Sequence, residues 1–106
     1  MNILNSPVIK EIKRIALQIL PNGSEIYLYG SRARGDAQQE SDWDLLILSK
    51  EKIDSQEKYA KYISPFAEIG WYMDYDIIPI SYTAQEWDER KNTLFYRNVM
   101  KDAIKL

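Results

Sequence analysis

The apolar run Leu45-Leu46-Ile47-Leu48 constrains the fold of this 106-residue chain more than any other stretch. Successive side chains of a β-strand point to opposite faces of the sheet, so an uninterrupted apolar run predicts a strand that is buried on both faces. We therefore predict a strand from Trp43 to Ser49, central in a sheet against which helices pack. A shorter strand is predicted over Glu25 to Tyr29, where Ile26 and Leu28 share one face.

Capping and spacing signals predict helices on both sides of these strands. Ser6 suits an N-cap and Pro7 the first helical position, and the apolar stripe that follows ends at Pro21-Asn22-Gly23. A second helix is predicted from about residue 55 to about residue 69. A kink or break is expected near Ser64, because the next residue is a proline inside the helical pattern.

The remaining third of the chain predicts one more strand and two helices. The strand is expected from Trp71 to Ile80, after a stop at Gly70, and Pro79 indicates the strand's end or an edge position. Thr83 can cap a short helix from Ala84 to about Lys91.

A last helix is predicted from about Asn92 to Lys105, with Phe95, Val99 and Ile104 toward the core. The element order α-β-β-α-β-α-α predicts a single α/β domain over residues 1–106. In it, helices pack against a small sheet of three or four strands.

Composition excludes several kinds of chemistry. The chain has no cysteine and no histidine, which excludes disulfides, thiolate metal sites and histidine-based catalysis. Any bound metal must be held by oxygen, which favours Mg²⁺ or Mn²⁺. The net charge of −2, with both signs interspersed, argues against general nucleic-acid binding. Neither a signal peptide nor a membrane-spanning apolar stretch is recognisable, so a cytoplasmic protein is expected.

Carboxylates gather at the start of two predicted strands. Asp42 and Asp44 are two positions apart, so they point to the same face, and two close carboxylates repel each other unless a cation lies between them. Asp76 precedes another apolar run and joins them if the third strand neighbours the second. Asp74 shares its face on an ideal strand, so the identity of the third carboxylate stays open. Three carboxylates could hold two metal ions, as in-line phosphoryl or nucleotidyl transfer needs.

The Gly30-Ser31 turn supplies a candidate phosphate site. Glycine lets an anion approach the backbone, and the N–H groups that follow, with the Ser31 hydroxyl, are donors to it. A brief helical turn through Arg34 is predicted, and Arg32 or Arg34 is a candidate contact to a triphosphate. Each feature alone is common: Gly-Ser occurs in ordinary turns, Asp-x-Asp at solvated strand ends, and arginine on surfaces. Their conjunction predicts a site for a metal and a nucleotide.

The segment Gly30-Ser31-Arg32-Ala33-Arg34-Gly35, followed by Ser41-Asp42-Trp43-Asp44-Leu45, resembles the signature of the minimal nucleotidyltransferases of the DNA polymerase beta superfamily. The strand with Asp76 resembles the family's third-carboxylate strand, and the tail from Leu94 to Ile104 is similar to the family's closing helix. The resemblance therefore spans essentially the whole chain and implies a polymerase-beta-like palm.

The resemblance also implies roles for these residues. Gly30 and Ser31 would bind the triphosphate, and Asp42 and Asp44 would bind two Mg²⁺ ions. Asp76 would ligate the metal nearer the acceptor and help to deprotonate the attacking hydroxyl. The implied activity is transfer of a nucleoside monophosphate, AMP from ATP above all, to a hydroxyl acceptor.

Minimal members of this family commonly act beside a separate all-helical partner, often of the HEPN type, in toxin–antitoxin pairs. The resemblance implies such a partner, with one of its tyrosines as the acceptor; a homo-oligomer is also compatible with the sequence. The alternative is a module with a weak nucleotide site that neutralises its partner by contact. Transfer to an aminoglycoside is less favoured, because no second domain is recognisable that would hold the drug.

Overall fold

The computed structural model describes residues 2–106, and its first elements follow the predicted order. A 3-10 turn at Ile3–Asn5 leads into the first helix, whose N-cap Ser6 accepts a hydrogen bond from the Ile9 N–H at 3.2 Å. The elements up to the central strand are α1 (Pro7–Ile19), β1 (Glu25–Tyr29), α2 (Ser31–Arg34) and β2 (Trp43–Ser49).

The next helical segment contains the break that its proline predicts. It consists of α3 (Ser55–Lys58), a widened π-helical turn (Tyr59–Ile63) and α4 (Ser64–Met73). Pro65 has no N–H to donate within the helix, and the turn immediately before it is wider than an α-helical turn. The predicted break near Ser64 is confirmed.

The third strand begins later than the sequence predicts. Helix α4 continues through Gly70, and β3 runs over Ile77–Thr83, so the predicted strand start at Trp71 is wrong. A Cβ on Gly70 would collide with the Tyr75 carbonyl oxygen, which means that this glycine permits close packing of the returning chain. The helix ends instead at Asp74, a residue with a left-handed backbone (φ 61°).

The last part of the chain differs from the prediction at its end. The elements are α5 (Ala84–Asp88), α6 (Leu94–Asp102) and a two-residue strand β4 (Ile104–Lys105). Thr83 caps α5 as predicted, but the helix predicted up to Lys105 stops earlier, because Ile104 and Lys105 pair with β1. Val99 is buried as predicted, whereas Phe95 is 45% exposed.

The four strands form one mixed sheet in the order β3-β2-β1-β4. Strand β1 is antiparallel to both β2 and β4, and β2 is parallel to β3. The central position of β2 is confirmed, and β3 lies at an edge, which is where a strand tolerates a residue such as Pro79. The α/β fold class is therefore confirmed. No helix within residues 2–106 combines the length and apolarity that crossing a bilayer requires.

The two faces of the sheet are covered differently. We call the face that carries Trp43, Leu45 and Ile47 the core face; it packs against α1 and α4. We call the face that carries Asp44, Leu46 and Leu48 the open face. On the open face, α5 and α6 pack around Trp87 and Val99. The buried residues of the core face are Val8, Ile9, Ile12, Ile26, Leu28, Trp43, Leu45, Ile47, Phe66, Ile69 and Ile77.

Candidate functional site

Asp44 lies at the start of β2 on the open face, where β1 ends beside it. Its partner in the antiparallel register is Tyr29, which directly precedes Gly30. Gly30 has a positive φ of 77°, and a Cβ built on it would lie 2.5 Å from Asp44 Oδ2. Only glycine therefore lets this turn pass so close to the carboxylate. The structure brings the predicted phosphate turn against a predicted metal ligand.

The charges of Asp42 and Asp44 act on each other. Burial raises the pKa of the Asp44 carboxyl, the neighbouring Asp42 charge raises it further, and the Arg34 guanidinium partly offsets both effects. Asp44 is half-buried, while Asp42 is exposed. Since the ionised Asp44 is partly removed from water and is repelled by Asp42, the pair is a fitting donor set for a hard cation such as Mg²⁺.

Asp76 lies beside Asp42 in the backbone but does not complete a cluster of side chains. The Trp43 N–H donates to the Asp76 carbonyl oxygen at 2.8 Å, and the two strands run on in parallel from that point. Within residues 2–106, no three acidic, histidine or cysteine side chains are grouped closely enough to hold a metal ion. Asp74, at the end of α4, lies outside β3. The assignment of the third carboxylate stays a prediction.

The Gly30-Ser31 turn presents free backbone donors. The N–H groups of Ala33 and Arg34 both donate to the Gly30 carbonyl oxygen at 3.0 Å, which fixes the turn. Among residues 2–106, the N–H groups of Ser31 and Arg32 have no hydrogen-bond partner. These two donors are the part of the turn that remains available to an anion.

The structure places the two candidate arginines differently. Arg32 stacks on Trp43 at 4.6 Å and on Tyr75 at 5.6 Å, and it donates to the carbonyls of Gln39 and Ser41 at 3.0 Å and 2.9 Å. Its charge thus supports the loop that leads into Asp42. The sequence predicts Tyr75 as part of a strand, which gives no reason to expect Arg32 to stack on it.

Arg34 connects the turn to the last helix. It forms ion pairs with Asp36 at 3.1 Å and with Asp102 of α6 at 2.9 Å. It also lies close enough to Asp44 to lower the pKa of that carboxyl. Of the two arginines, Arg34 is therefore the one whose charge reaches the carboxylates.

Tyr29 is a site residue that sequence reasoning did not single out. Burial, followed by the charges of Asp44 and Tyr82, raises the pKa of Tyr29 to about 12. Its phenol therefore stays neutral and protonated beside Asp44 at physiological pH. The only signal in the sequence is its position on the polar face of β1, directly before Gly30.

Comparisons with known proteins show which family the chain belongs to. The family model described as Nucleotidyltransferase domain matches residues 9–104. A protein of Methanocaldococcus jannaschii, provisionally named protein adenylyltransferase MJ0141, is 39% identical over 80 residues, which cover 71% of this chain and 76% of that protein.

Two solved structures share the fold. A toxin–antitoxin crystal structure with AMP-PNP superposes with a TM-score of 0.65 at 17% identity, covering 99% of this chain and 72% of that one. A mutant of the toxin–antitoxin MntA-HpeT superposes with a TM-score of 0.63 at 20% identity, covering 92% of this chain and 69% of that one. The polymerase-beta-like fold is thereby confirmed. With a family match over nearly its whole length, the chain belongs to the nucleotidyltransferase domain family.

Proposed function

We propose that this chain moves a nucleoside monophosphate, AMP from ATP, onto a hydroxyl group of a partner protein in a Mg²⁺-dependent reaction. Family membership supports nucleotidyl transfer, and the M. jannaschii relative is named for transfer of an adenylyl group to protein. The observation that carries the proposal is the approach of Gly30 to Asp44. It sets free backbone donors directly against a carboxylate pair, which is what a metal–triphosphate requires.

The proposed roles follow from these positions. The N–H groups of Ser31 and Arg32, with the Ser31 hydroxyl, bind the triphosphate, and Asp42 and Asp44 hold Mg²⁺. When bound, the metal neutralises phosphate charge and polarises the phosphorus–oxygen bonds. The chain itself positions the reactants and supplies charge, which accords with a site that lacks histidine.

The acceptor side of the proposed site lies at Asp76. A polar cavity of about 570 Å³ there is lined by residues 39–41 and by Asp74, Tyr75 and Asp76, among others. In our proposal the Asp76 carboxylate takes the proton of the acceptor hydroxyl, whose oxygen attacks the α-phosphorus of ATP and expels pyrophosphate. We favour Asp76 over Asp74 because its backbone is hydrogen-bonded to β2, directly beside Asp42.

The proposed partner is a helical, HEPN-type toxin that presents a tyrosine. Both structural neighbours come from toxin–antitoxin complexes. In this chain, Trp71 and Tyr72 are 73% and 90% exposed at the end of α4, next to the acceptor-side cavity. Exposed aromatic side chains of this size are typical of protein interfaces.

A transfer assay tests the proposal. The chain is incubated with α-labelled ATP, Mg²⁺ and the product of the neighbouring gene as the candidate partner, and labelled protein is measured. We expect label on a partner tyrosine, with at least about a 100-fold loss of rate in Asp42→Asn plus Asp44→Asn. The exposed pair Asp88→Asn plus Glu89→Gln, which removes the same charge elsewhere, should leave the rate unchanged.

Label transfer that persists in the double Asp42, Asp44 variant would overturn the catalytic roles. A partner that this variant neutralises as well as the unmodified chain does would instead support neutralisation by contact.

A further inference from the structure

A cavity on the open face begins at the phosphate turn and runs along α6. Its volume is about 420 Å³, and its walls include Gly30 and Arg34 at one end and Phe95 and Asn98 of α6 at the other. The Arg34–Asp102 ion pair at 2.9 Å ties the end of α6 to the turn. At Gly30 the cavity therefore reaches the turn on which the triphosphate is proposed to bind.

The side chains of α6 change character along the cavity. Phe95, near the start of the helix, is 45% exposed and packs edge-on against the buried Trp87, with ring centroids 6.0 Å apart. Asn98, one turn later, has an exposed amide without a hydrogen-bond partner among residues 2–106. Lys101 follows near Arg34, and it forms no ion pair within the same described range. An aromatic ring, an amide and a cation thus succeed one another toward Gly30.

We propose that this cavity seats the nucleoside of the nucleotide substrate, with the base on Phe95, the Asn98 amide at the base edge and Lys101 near the phosphates. This inference rests on the proposed function and adds to it the residues that hold the nucleoside. Phe95 and Asp102 are separated by roughly 10 Å of helix at 1.5 Å per residue, comparable with the reach of a nucleoside from its base to its first phosphate.

The chemistry of the wall suits a nucleoside. A half-exposed ring that is held by a buried aromatic partner is a ready stacking surface for a base. An asparagine amide offers one donor and one acceptor side by side, which matches the N7 and N6 groups of adenine. The same pair matches guanine poorly, since guanine presents two acceptors there. The seat therefore favours ATP over GTP.

Equilibrium binding measurements distinguish the contribution of the nucleoside to affinity from that of the phosphates. The probes are Mg²⁺ with AMP-PNP and Mg²⁺ with inorganic triphosphate, measured by calorimetry on the full chain. We expect Phe95→Ala to weaken AMP-PNP binding about 5- to 150-fold, the range for loss of a base–aromatic stack, and to leave triphosphate binding unchanged. Asn98→Ala, which removes an exposed side chain without packing, should weaken AMP-PNP binding and reduce the preference for it over the guanine analogue.

A matched control lies on the same helix. Leu94→Ala truncates a side chain that is 66% exposed and does not line the cavity, so it should change neither affinity. Thermal melting of each variant shows whether it is folded. If Phe95→Ala does not fold, Asn98→Ala still tests the inference.

Three results would overturn the inference. Unchanged AMP-PNP binding in both variants, with binding still lost in Asp42→Asn plus Asp44→Asn, would reject the nucleoside seat alone. An equal loss of AMP-PNP and triphosphate binding would show that these residues do not act on the nucleoside. If the unmodified chain bound neither probe, the proposed function and this inference would fail together.

Discussion

On the core face, β2 presents Trp43, Leu45 and Ile47 to α1 and α4, whereas on the open face the same strand begins with Asp44. The core-face side chains are fully enclosed. Asp44, in contrast, is half-buried beside the Asp42 carboxylate and the Gly30-Ser31 turn. The difference teaches that the start of β2 combines packing on one face with chemistry on the other, whereas further along the strand Leu46 and Leu48 are buried on the open face as well. A charged, self-repelling pair is tolerable at this end of the open face because the core face and the rest of the open face supply the packing.

The largest expected effect comes from breaking the core face. Phe66 is fully buried between α4 and the sheet, so Phe66→Ala should lower the free energy of unfolding by about 3–5 kcal/mol. Urea denaturation measures this loss. Tyr72→Ala on the same helix, an exposed position, should stay within about 0.5 kcal/mol. The contrast between the faces would be wrong if Phe66→Ala lowered AMP-PNP affinity under conditions where the variant is fully folded.

Asp44→Asn should have the opposite effects to Phe66→Ala, namely a loss of activity and a gain of stability. We expect nucleotidyl transfer to fall at least about 100-fold, because a ligand of the proposed metal loses its charge. The folded chain should nevertheless become more stable at pH 7 without Mg²⁺, because burial and Asp42 disfavour the ionised Asp44.

The direction of the Asp44 pKa shift determines the pH range over which Asp44→Asn changes stability. The folded state raises the pKa of Asp44 above its ordinary value of 3.8, so it binds this proton more tightly than the unfolded chain does. The unmodified chain therefore loses stability relative to Asp44→Asn as the pH rises from 3.8 through the folded-state pKa. Melting temperatures should coincide at about pH 3 and diverge by pH 7. A lower melting temperature for the variant at pH 7 would contradict the role assigned to burial.

Gly30→Ala tests the contact between the turn and the carboxylate. The positive φ and the approach of a Cβ to Asp44 Oδ2 should together destabilise the fold by about 1–3 kcal/mol and reduce transfer. Gly35→Ala is a control for positive φ alone, since Gly35 is in the left-handed helical region (φ 88°, ψ 11°), which is milder than the Gly30 conformation, and has no atom within 4 Å of a built Cβ. A similar loss of transfer in both variants would show that backbone strain, and not the contact with Asp44, limits activity.

Arg32→Lys sharpens the comparison with a smaller effect. Lysine retains the charge but loses the planar fork that reaches the Gln39 and Ser41 carbonyls, so we expect a stability loss of about 1 kcal/mol. Half-maximal transfer should need more Mg²⁺, because the loop that leads into Asp42 loosens. Direct binding of Arg32 to the triphosphate, as the sequence suggests, would instead appear as weaker binding of inorganic triphosphate.

The first half of the fold could be predicted because its signals are local. Ser6 and Pro7 start α1, and strict alternation or an unbroken apolar run identifies β1 and β2. The start of β3 could not be predicted. In the sequence, a glycine such as Gly70 is equally compatible with the end of a helix and with close packing of another segment on the helix. Strand β4 is too short to carry any pattern, and its pairing with β1 is a tertiary contact.

The candidate site divides in the same way. The proximity of Gly30 to Asp44 follows from the antiparallel pairing of two strands that are consecutive in the sheet and joined by residues 30–42, so the motif in that connection was enough to predict it. The stacking of Arg32 on Tyr75 depends on where a distant segment returns to the sheet. The exposure of Phe95 depends on how far α6 extends past Trp87, which periodicity does not specify.

The hydrogen bond from the Trp43 N–H to the Asp76 carbonyl oxygen has a consequence for redesign. It is made by main-chain atoms, so the spacing between the starts of β2 and β3 is independent of the side chains that line the acceptor-side cavity. Gln39 and Glu40 can then be exchanged to admit a different hydroxyl-bearing molecule, while Tyr75, on which Arg32 stacks, is kept. A new acceptor preference could be grafted onto the wall of this cavity while the frame that spaces the aspartates stays in place.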